Sequence, residues 1–363
     1  MYEFDFTKNK VSLFDWLKFS FTPSVGFQVL SKLIKHFGSL KEALNHNPNT
    51  LSNVIPVNLV NNILNNKSQE IEKSLLWLKQ GKDRHIITFQ DEIYPEYLRH
   101  VISPPLFLFA EGNLDLLNNS KITIVGTRNP TVHGIENAKY FSYNLAKNGY
   151  TIVSGLASGV DYYAHISALD FITSTIAVIG TGINIAYPKH NKNLQDNIAN
   201  KGLLLSEFKL DTPPLATNFP KRNQIVVGLS QVCLVVESSI DGSSMISANL
   251  AVEMGRDVMA IPGSIHNPMA KGCHKLIKNG AKLVESLQDI MEDLPNNLKD
   301  NLPNIYEDDI ILKYVGYEEI HIDRICEISG LNITDIFSNL LEYELNGIII
   351  NCGNGYYKKN IKI

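Results

Sequence analysis

At 363 residues, 44% of them hydrophobic, the chain has material for two or three domains with substantial cores. It sets 33 basic residues against 37 acidic ones for a formal net charge of −4, so no global positive field draws in a polyanion and any nucleic-acid site must be a local patch. Cys233, Cys273, Cys326 and Cys352 stand far apart with no CxxC, which argues against a zinc site or a disulfide framework and fits a reducing compartment, with Cys233 read as core packing.

The first residues, MYEFDFTKNK, lack the basic start and apolar stretch of a signal peptide, and no apolar run reaches the ~18 residues of a membrane helix. A cytoplasmic protein is expected. Residues 1–85 read as a helical module of the SAM or helix-hairpin-helix kind. LFDWLKFS, GFQVLSKLIKHFGSLKEAL and NLVNNILNN place apolar residues three and four apart, punctuated by Gly26, Gly38, Pro48 and Pro56. Gly38 stops one helix and Ser39 caps the next, with Glu42 completing a capping box. Helical packing is the preferred role of this module, with DNA-backbone contact the alternative.

Residues 86–290 change texture. The β-branched runs KITIVG, YTIVSG, TIAVIG, LLLSE, VCLVVE and DVMAIPG alternate with the helical patterns IENAKYFSYNLAKNG, VDYYAHISALD, NKNLQDNIANKG and SMISANLAVEMGR. Continuous apolar strands alternating with helices imply parallel pairing through right-handed crossovers, hence an α/β fold with a doubly wound sheet. A ligand is expected beyond the carboxyl ends of its strands. The polar, proline-bearing stretch from residue 291 to about 305 reads as a linker. Residues 306–363 predict helix, turn, helix and hairpin, with Ser329 and Gly330 in the turn and Asn354 and Gly355 in the hairpin, the outline of a C-terminal winged-helix domain.

The strand-end loops concentrate groups suited to anions. VGTRNP offers Gly126, Thr127 and Arg128: close backbone approach, a hydroxyl donor and a guanidinium. SGLASGVD places Ser154, Gly155 and Gly159 before a helix whose free N–H groups would attract an anion; the alternative is a tight turn capped by Asp161. Asp161 and His165, four apart, suit a metal or an acid–base pair, but without a third ligand a solvated ion pair or a packed histidine is preferred. Lys189, His190 and Lys192 follow a turn at Pro188, and Gly242, Ser243 and Ser244 open a helix, as phosphate donors or as a simple N-cap. In NFPKRNQIVVGLS, the first residues read as a loop presenting Phe219, Lys221, Arg222 and Asn223, anchored by the apolar run behind. GxGxxG and GxxxxGK[ST] are absent from these loops, and neither a nucleophile with an adjacent base nor paired carboxylates at a matching spacing emerge. Gripping of phosphates is expected rather than bond breaking, with no catalytic residue, no metal and no cofactor.

VGTRNPTVHG, SGLASGVDYYAH, GTGINIAYPKHNKNL, LLSEF, NFPKRNQIVVGLS, DGSSMISANLAVEMGRDVMAIPG and KGCHKLIKNGAKLV occur in the order found in the DNA-processing protein A family, DprA or Smf, which this chain resembles over nearly its whole length. The resemblance implies a Rossmann-like core that binds single-stranded DNA, protects it during natural transformation and loads the recombinase RecA, acting as a homodimer without enzymatic activity. It assigns Arg128 to the first motif arginine, Phe219 to base stacking, Arg222 and Asn223 to the following motif positions, and Lys189 to the basic place after the tyrosine–proline turn. One departure is Ala216, where many relatives carry a lysine; Lys221 is the nearest candidate to replace it.

The acidic balance of the C-terminal module, with Asp323, Glu327, Asp335, Glu342 and Glu344 against Lys358, Lys359 and Lys362, favours protein docking there over duplex binding. The enzymatic alternative is a nucleotide phosphoribohydrolase of the lysine-decarboxylase-like type. Its PGGxGTxxE loop would fall on DGSSMISAN, which lacks the paired glycines and carries an apolar residue where the acid belongs. Incubation with adenosine monophosphate is accordingly expected to release no adenine, and adenine detected by chromatography would favour the enzyme.

Overall fold

The computed structural model describes residues 9–294 apart from Ser68, 310–345 apart from Tyr317, and 349–359. Apolar residues at helical spacing form six short helices before the first strand: α1 (Leu13–Ser20), α2 (Phe27–Phe37), α3 (Leu40–Asn45), α4 (Pro48–Ser52), α5 (Val57–Asn65) and α6 (Gln69–Lys79). Ser12, Ser39 and Asn47 cap α1, α3 and α4, each side chain accepting from the N–H three residues on. The buried faces of these helices lie against a strand pair, β1 (Arg84–Thr88) and β2 (Phe107–Gly112), with α7 (Glu96–Arg99) in the connection. Trp16 Nε1 donates to Leu106 O at 2.9 Å, Phe27 meets Phe89 edge-on at 5.2 Å, and Trp77 meets Phe109 at 5.4 Å. One apolar core therefore runs from the helices into the sheet.

The six strands read from the sequence are β3 (Lys121–Val125), β4 (Thr151–Ser154), β5 (Thr175–Val178), β6 (Leu203–Ser206), β7 (Val232–Val235) and β8 (Asp257–Ala260), joined at the edge by β9 (Lys282–Leu283). The sheet order is β1-β2-β6-β5-β4-β3-β7-β8-β9, parallel from β6 to β9. On the other side β2 runs antiparallel to both β1 and β6. This hairpin-like edge is not among the expected strands, although Phe107–Ala110 is an apolar run like those of its neighbours. The crossover helices are α8 (Val132–Lys147), α9 (Val160–Ala168), α10 (Lys192–Lys201), α11 (Asn218–Gly228), α12 (Ser243–Glu253) and α13 (Lys271–Lys278), followed by α14 (Leu287–Met291). Alternate strand residues face opposite layers: Ile122 and Ile124 pack in the cluster containing α8 and α9, whereas Thr123 donates from its hydroxyl to Val226 O of α11 at 2.8 Å. The chain thus has a doubly wound, Rossmann-like core beside a helical N-terminal module.

One local expectation is corrected. NFPKRN is not a loop anchored by a separate apolar run; Asn218–Gly228 is a single helix. Pro220 lies in its first turn, where a missing N–H costs no hydrogen bond, and Ile225, Val226 and Val227 are buried by helix packing.

Beyond residue 309 the described elements are α15 (Ile310–Tyr314), β10 (Ile320–His321), α16 (Ile322–Ser329), α17 (Ile333–Leu345), β11 (Ile349–Gly353) and β12 (Tyr356–Lys359). Gly330, at φ +71°, ends α16, while Asn354 and Gly355, at φ +52° and +81°, turn β11 into β12. Ile325, Ile336, Leu340 and Tyr357 form a separate small core. From residue 295 to its end, the expected linker lies outside the described residues, as does Lys362. Among the described residues no helix is long and apolar enough to cross a membrane.

Because Trp16 is buried in the shared core, Trp16→Ala is expected to destabilise the chain by about 3–5 kcal/mol. Urea unfolding followed separately by far-UV dichroism and tryptophan fluorescence should show the loss in a shared transition.

Candidate nucleic-acid interface

β3 is the first strand of the parallel set; the chain winds from it through β4, β5 and β6 in one direction and then crosses to β7 on its other side. The loops leaving the carboxyl ends of β3 and β7 therefore diverge, opening a crevice at this switch point. A cleft of about 80 Å³ lies there, lined by Gly126 and Arg128, by Gly155 and Asp161, by Phe219, Arg222 and Asn223 of α11, and by Ser243 and Ser244 of α12. Pockets that enclose a small ligand measure roughly 300–1,000 Å³, so this cleft suits a ligand held from one side.

The floor of the cleft is an internally bonded clamp. Arg222 is only 5% exposed. Its Nη1 donates to Val178 O at 2.7 Å and to Gly155 O, and its Nε donates to Asn223 Oδ1 at 3.0 Å. Burial lowers its pKa to about 10, with Asp161 opposing the shift and Arg128 adding to it, so it stays cationic at neutral pH. Asp161 Oδ2 accepts from the N–H groups of Gly155 and Ala157 at 3.2 and 3.3 Å. Burial raises the Asp161 pKa against the pull of Arg222 and those amides. His165 Nε2 accepts from Leu156 N–H at 3.3 Å, its Nδ1 lies 2.7 Å from Thr175 Oγ1, and Asn191 Nδ2 donates to Leu156 O at 3.1 Å.

These contacts correct several site expectations. The N–H groups of Gly155, Leu156 and Ala157 are bonded to side chains, so the turn is not an open anion site. Its tight-turn alternative, with Asp161 holding the loop, describes the geometry. Of the two preferred readings of Asp161 and His165, the solvated pair is excluded because both are buried, and the packed histidine describes the geometry, with burial holding His165 neutral. Ser154 is buried and donates to Ile124 O at 2.7 Å. Ser244 is buried and donates to Ser238 Oγ at 2.7 Å, leaving Ser243 as the exposed hydroxyl beside Gly242. Arg222 lines the cleft as a committed cation rather than a free phosphate ligand. Gly159, at φ +79°, is required by packing: a Cβ there would lie 2.4 Å from Thr127 O.

Above this floor lies a polar and aromatic face. Arg128 is exposed, with its Cζ 6.0 Å from the Phe219 ring centroid. Phe219, half-buried, rests against Gly180, where a Cβ would come within 3.0 Å of the ring. Tyr187, absent from the sequence-based candidates, is 41% exposed, and its ring centroid is 5.5 Å from that of Phe219 at an interplanar angle of 42°. Its signal was available, as an aromatic two residues before Lys189. Lys189 and His190 are exposed next to it, with His190 Nε2 at 3.0 Å from Ser158 Oγ. Thr127 Oγ1 accepts from Asn129 N–H at 3.2 Å, which shapes the arginine loop. Lys221 is exposed but does not line the cleft; the charge it acts on is Glu207, whose pKa burial pushes up to about 7. Thus Lys221 occupies a different side of α11 from Phe219 and Arg222. Among the described residues no cluster of three or more metal-ligating side chains is found.

The family model for DNA recombination-mediator protein A matches residues 85–295. Protein Smf of Escherichia coli (strain K12) is 38% identical over 304 residues, covering 80% of this chain and 81% of that protein. Among solved structures, DNA processing protein A (DprA) from Streptococcus pneumoniae aligns with a TM-score of 0.70 at 33% identity, covering 79% of this chain and 99% of that one. DNA processing protein A from Helicobacter pylori, solved with regard to its single-stranded DNA binding mode, aligns at 0.53 with 31% identity over 57% of this chain and 94% of that one.

Burial lowers the His165 pKa from 6.5 to about 3. Between those values the unfolded chain binds a proton that the folded one refuses, so this contribution is complete above pH 6.5 and is lost as pH falls toward 3, at up to about 1.4 kcal/mol per pH unit. The stability gap between the native chain and His165→Gln should therefore be larger at pH 7 than at pH 5 in urea titrations; a constant gap would contradict the neutral assignment.

Proposed function

This chain belongs to the family of DNA recombination-mediator protein A, and on that premise we propose that it binds and protects single-stranded DNA without reading its sequence and passes it to the recombinase RecA. The single observation that carries this reading is the tilted Phe219–Tyr187 pair flanked by the exposed Arg128 and Lys189 at the carboxyl ends of the strands. Aromatic faces accept any base, and cations beside them follow the backbone, which is the general physical recipe for sequence-tolerant single-strand binding. The single-stranded DNA named for the Helicobacter pylori relative is consistent with that chemistry.

In this reading an unpaired strand lies across the cleft. One base stacks on Phe219 and its neighbour on Tyr187, while Arg128 takes a phosphate bidentately and Lys189 takes another as a point charge. Thr127, Gly126, Ser243 and Asn223 supply nearby polar groups. Arg222 adds positive potential from below without leaving its carbonyl partners. The shallow cleft favours gripping over enclosed chemistry, and we assign no catalytic residue or cofactor. The protein acts in the cytoplasm, in natural transformation or recombination, as a homodimer. Its C-terminal module is read as a winged helix that docks protein rather than duplex DNA.

Fluorescence anisotropy with labelled oligothymidine at two salt concentrations tests the site. Phe219→Ala and Tyr187→Ala should each cost roughly 1–3 kcal/mol. Arg128→Ala should weaken binding and reduce the salt slope by about one. Lys221→Ala, on the Glu207 side, should change affinity less than Arg128→Ala. Native affinity in both Arg128→Ala and Phe219→Ala, with the fold intact by circular dichroism, would overturn the assignment.

A further inference from the structure

The loop that presents Arg128 leaves β3 at Gly126 and enters α8 at Thr131 and Val132. Such a segment, exposed at Arg128 and Asn129, has Pro130 as its one apolar side chain and so depends on polar contacts to hold its shape. Its two ends are nevertheless fixed to the same residue. At the start, Thr127 N–H donates to the main-chain oxygen of Glu237 at 2.8 Å. At the end, Thr131 N–H donates to Glu237 Oε2 at 2.8 Å and the Thr131 hydroxyl donates to Glu237 Oε1 at 2.8 Å. Asn267, from the segment after β8, adds a bond from Nδ2 to Oε1 at 3.0 Å.

We infer that Glu237 is the positioning residue of the Arg128 loop, holding the guanidinium at the cleft mouth in the geometry that receives a phosphate. The inference rests on the proposed role of Arg128 as a backbone contact. A carboxylate two residues past the end of β7, beside a surface meant for polyanions, is otherwise counterproductive, because a free one would repel phosphate. Glu237 is instead 5% exposed, and no Lys, Arg or His lies within ion-pair distance of it among the described residues. Its charge is answered by N–H and O–H donors, two of them from the loop it organises. Thr131 relays the contact onward, since its Oγ1 also accepts from Gly134 N–H in the first turn of α8, where negative charge is favoured. The fit is close: a Cβ on Gly134 would lie 2.3 Å from Glu237 Oε2.

A loop ordered before binding spares the complex the entropy of ordering it afterwards. Glu237 touches no DNA in this arrangement and acts through Arg128 alone. The two residues should therefore be coupled, while Glu237 and Phe219 should not.

The test is a double-mutant cycle in the full chain, read by anisotropy of labelled oligothymidine at two salt concentrations. Glu237→Ala should weaken binding roughly tenfold through the lost preorganisation and lower the salt slope by about one, as Arg128→Ala does. Adding Arg128→Ala to Glu237→Ala should then cost less than about twofold more, whereas adding Phe219→Ala should cost its full single-mutant factor. Glu237→Gln, which keeps one acceptor oxygen, should recover part of the affinity. Native affinity and salt slope in Glu237→Ala, or additivity with Arg128→Ala, would overturn the inference while leaving the proposed function intact. If instead Arg128→Ala itself binds normally, the underlying reading fails. Should Glu237→Ala not fold, Thr131→Val removes the hydroxyl's bonds to Glu237 Oε1 and Gly134 N–H but keeps the main-chain bond to Oε2, and it bears the same cycle, with additivity again the overturning result.

Discussion

The arrangement depends on a buried guanidinium. Arg222 reaches from α11 to carbonyl oxygens at the ends of two adjacent strands, Gly155 after β4 and Val178 at the end of β5. A cation taken out of water must be solvated by the protein, and those two carbonyls, with Asp161 nearby, do so. The consequence is geometric: α11 is fixed in rotation over the strand ends, and the residue three positions earlier on the same helix, Phe219, is thereby set at the cleft mouth. Gly155 follows from the same contact, because a Cβ there would lie 2.6 Å from Arg222 Cζ.

Around this bond the site separates into an internally bonded floor and a solvent-facing rim. The floor consists of groups whose hydrogen bonds are made internally: Asp161, His165 and Asn191 bond to loop backbone, Ser154 to Ile124 O of β3, and Ser244 to Ser238 Oγ. The rim keeps its capacity for solvent or ligand: Arg128, Lys189, Ser243 and the faces of Phe219 and Tyr187. Positive potential reaches the rim from both layers, since Arg128 and Arg222 lie about equally far from the Phe219 ring, at 6.0 and 5.9 Å. A chain of net charge −4 thus concentrates cations at one crevice without a basic surface overall.

Much of the fold was legible because its signals are local. The six parallel strands are short apolar runs bounded by glycine, serine or proline, and the helix caps at Ser39 and Gly330 are set by one side chain or by one missing Cβ. β1 and β2 were not legible, since nothing local distinguishes an antiparallel edge pair from other apolar segments. NFPKRNQIVVGLS misled because asparagine and proline at its start suit a loop as well as the first turn of a helix, which is where Pro220 lies. Glycines in the strand-end loops suggested anion approach, yet Gly155 and Gly159 are needed for loop against loop.

The sequence by itself determined the doubly wound architecture and the residue types gathered in the loops beyond the strand ends, because periodicity and turn chemistry act over a few neighbours. The tertiary structure alone decided which of two cations on one helix faces the cleft, that Tyr187 pairs with Phe219, and that the glycine turn has already bonded its own N–H groups. Those outcomes depend on contacts between residues such as Gly155 and Arg222, 67 positions apart, and no local pattern encodes which side of a helix will meet them.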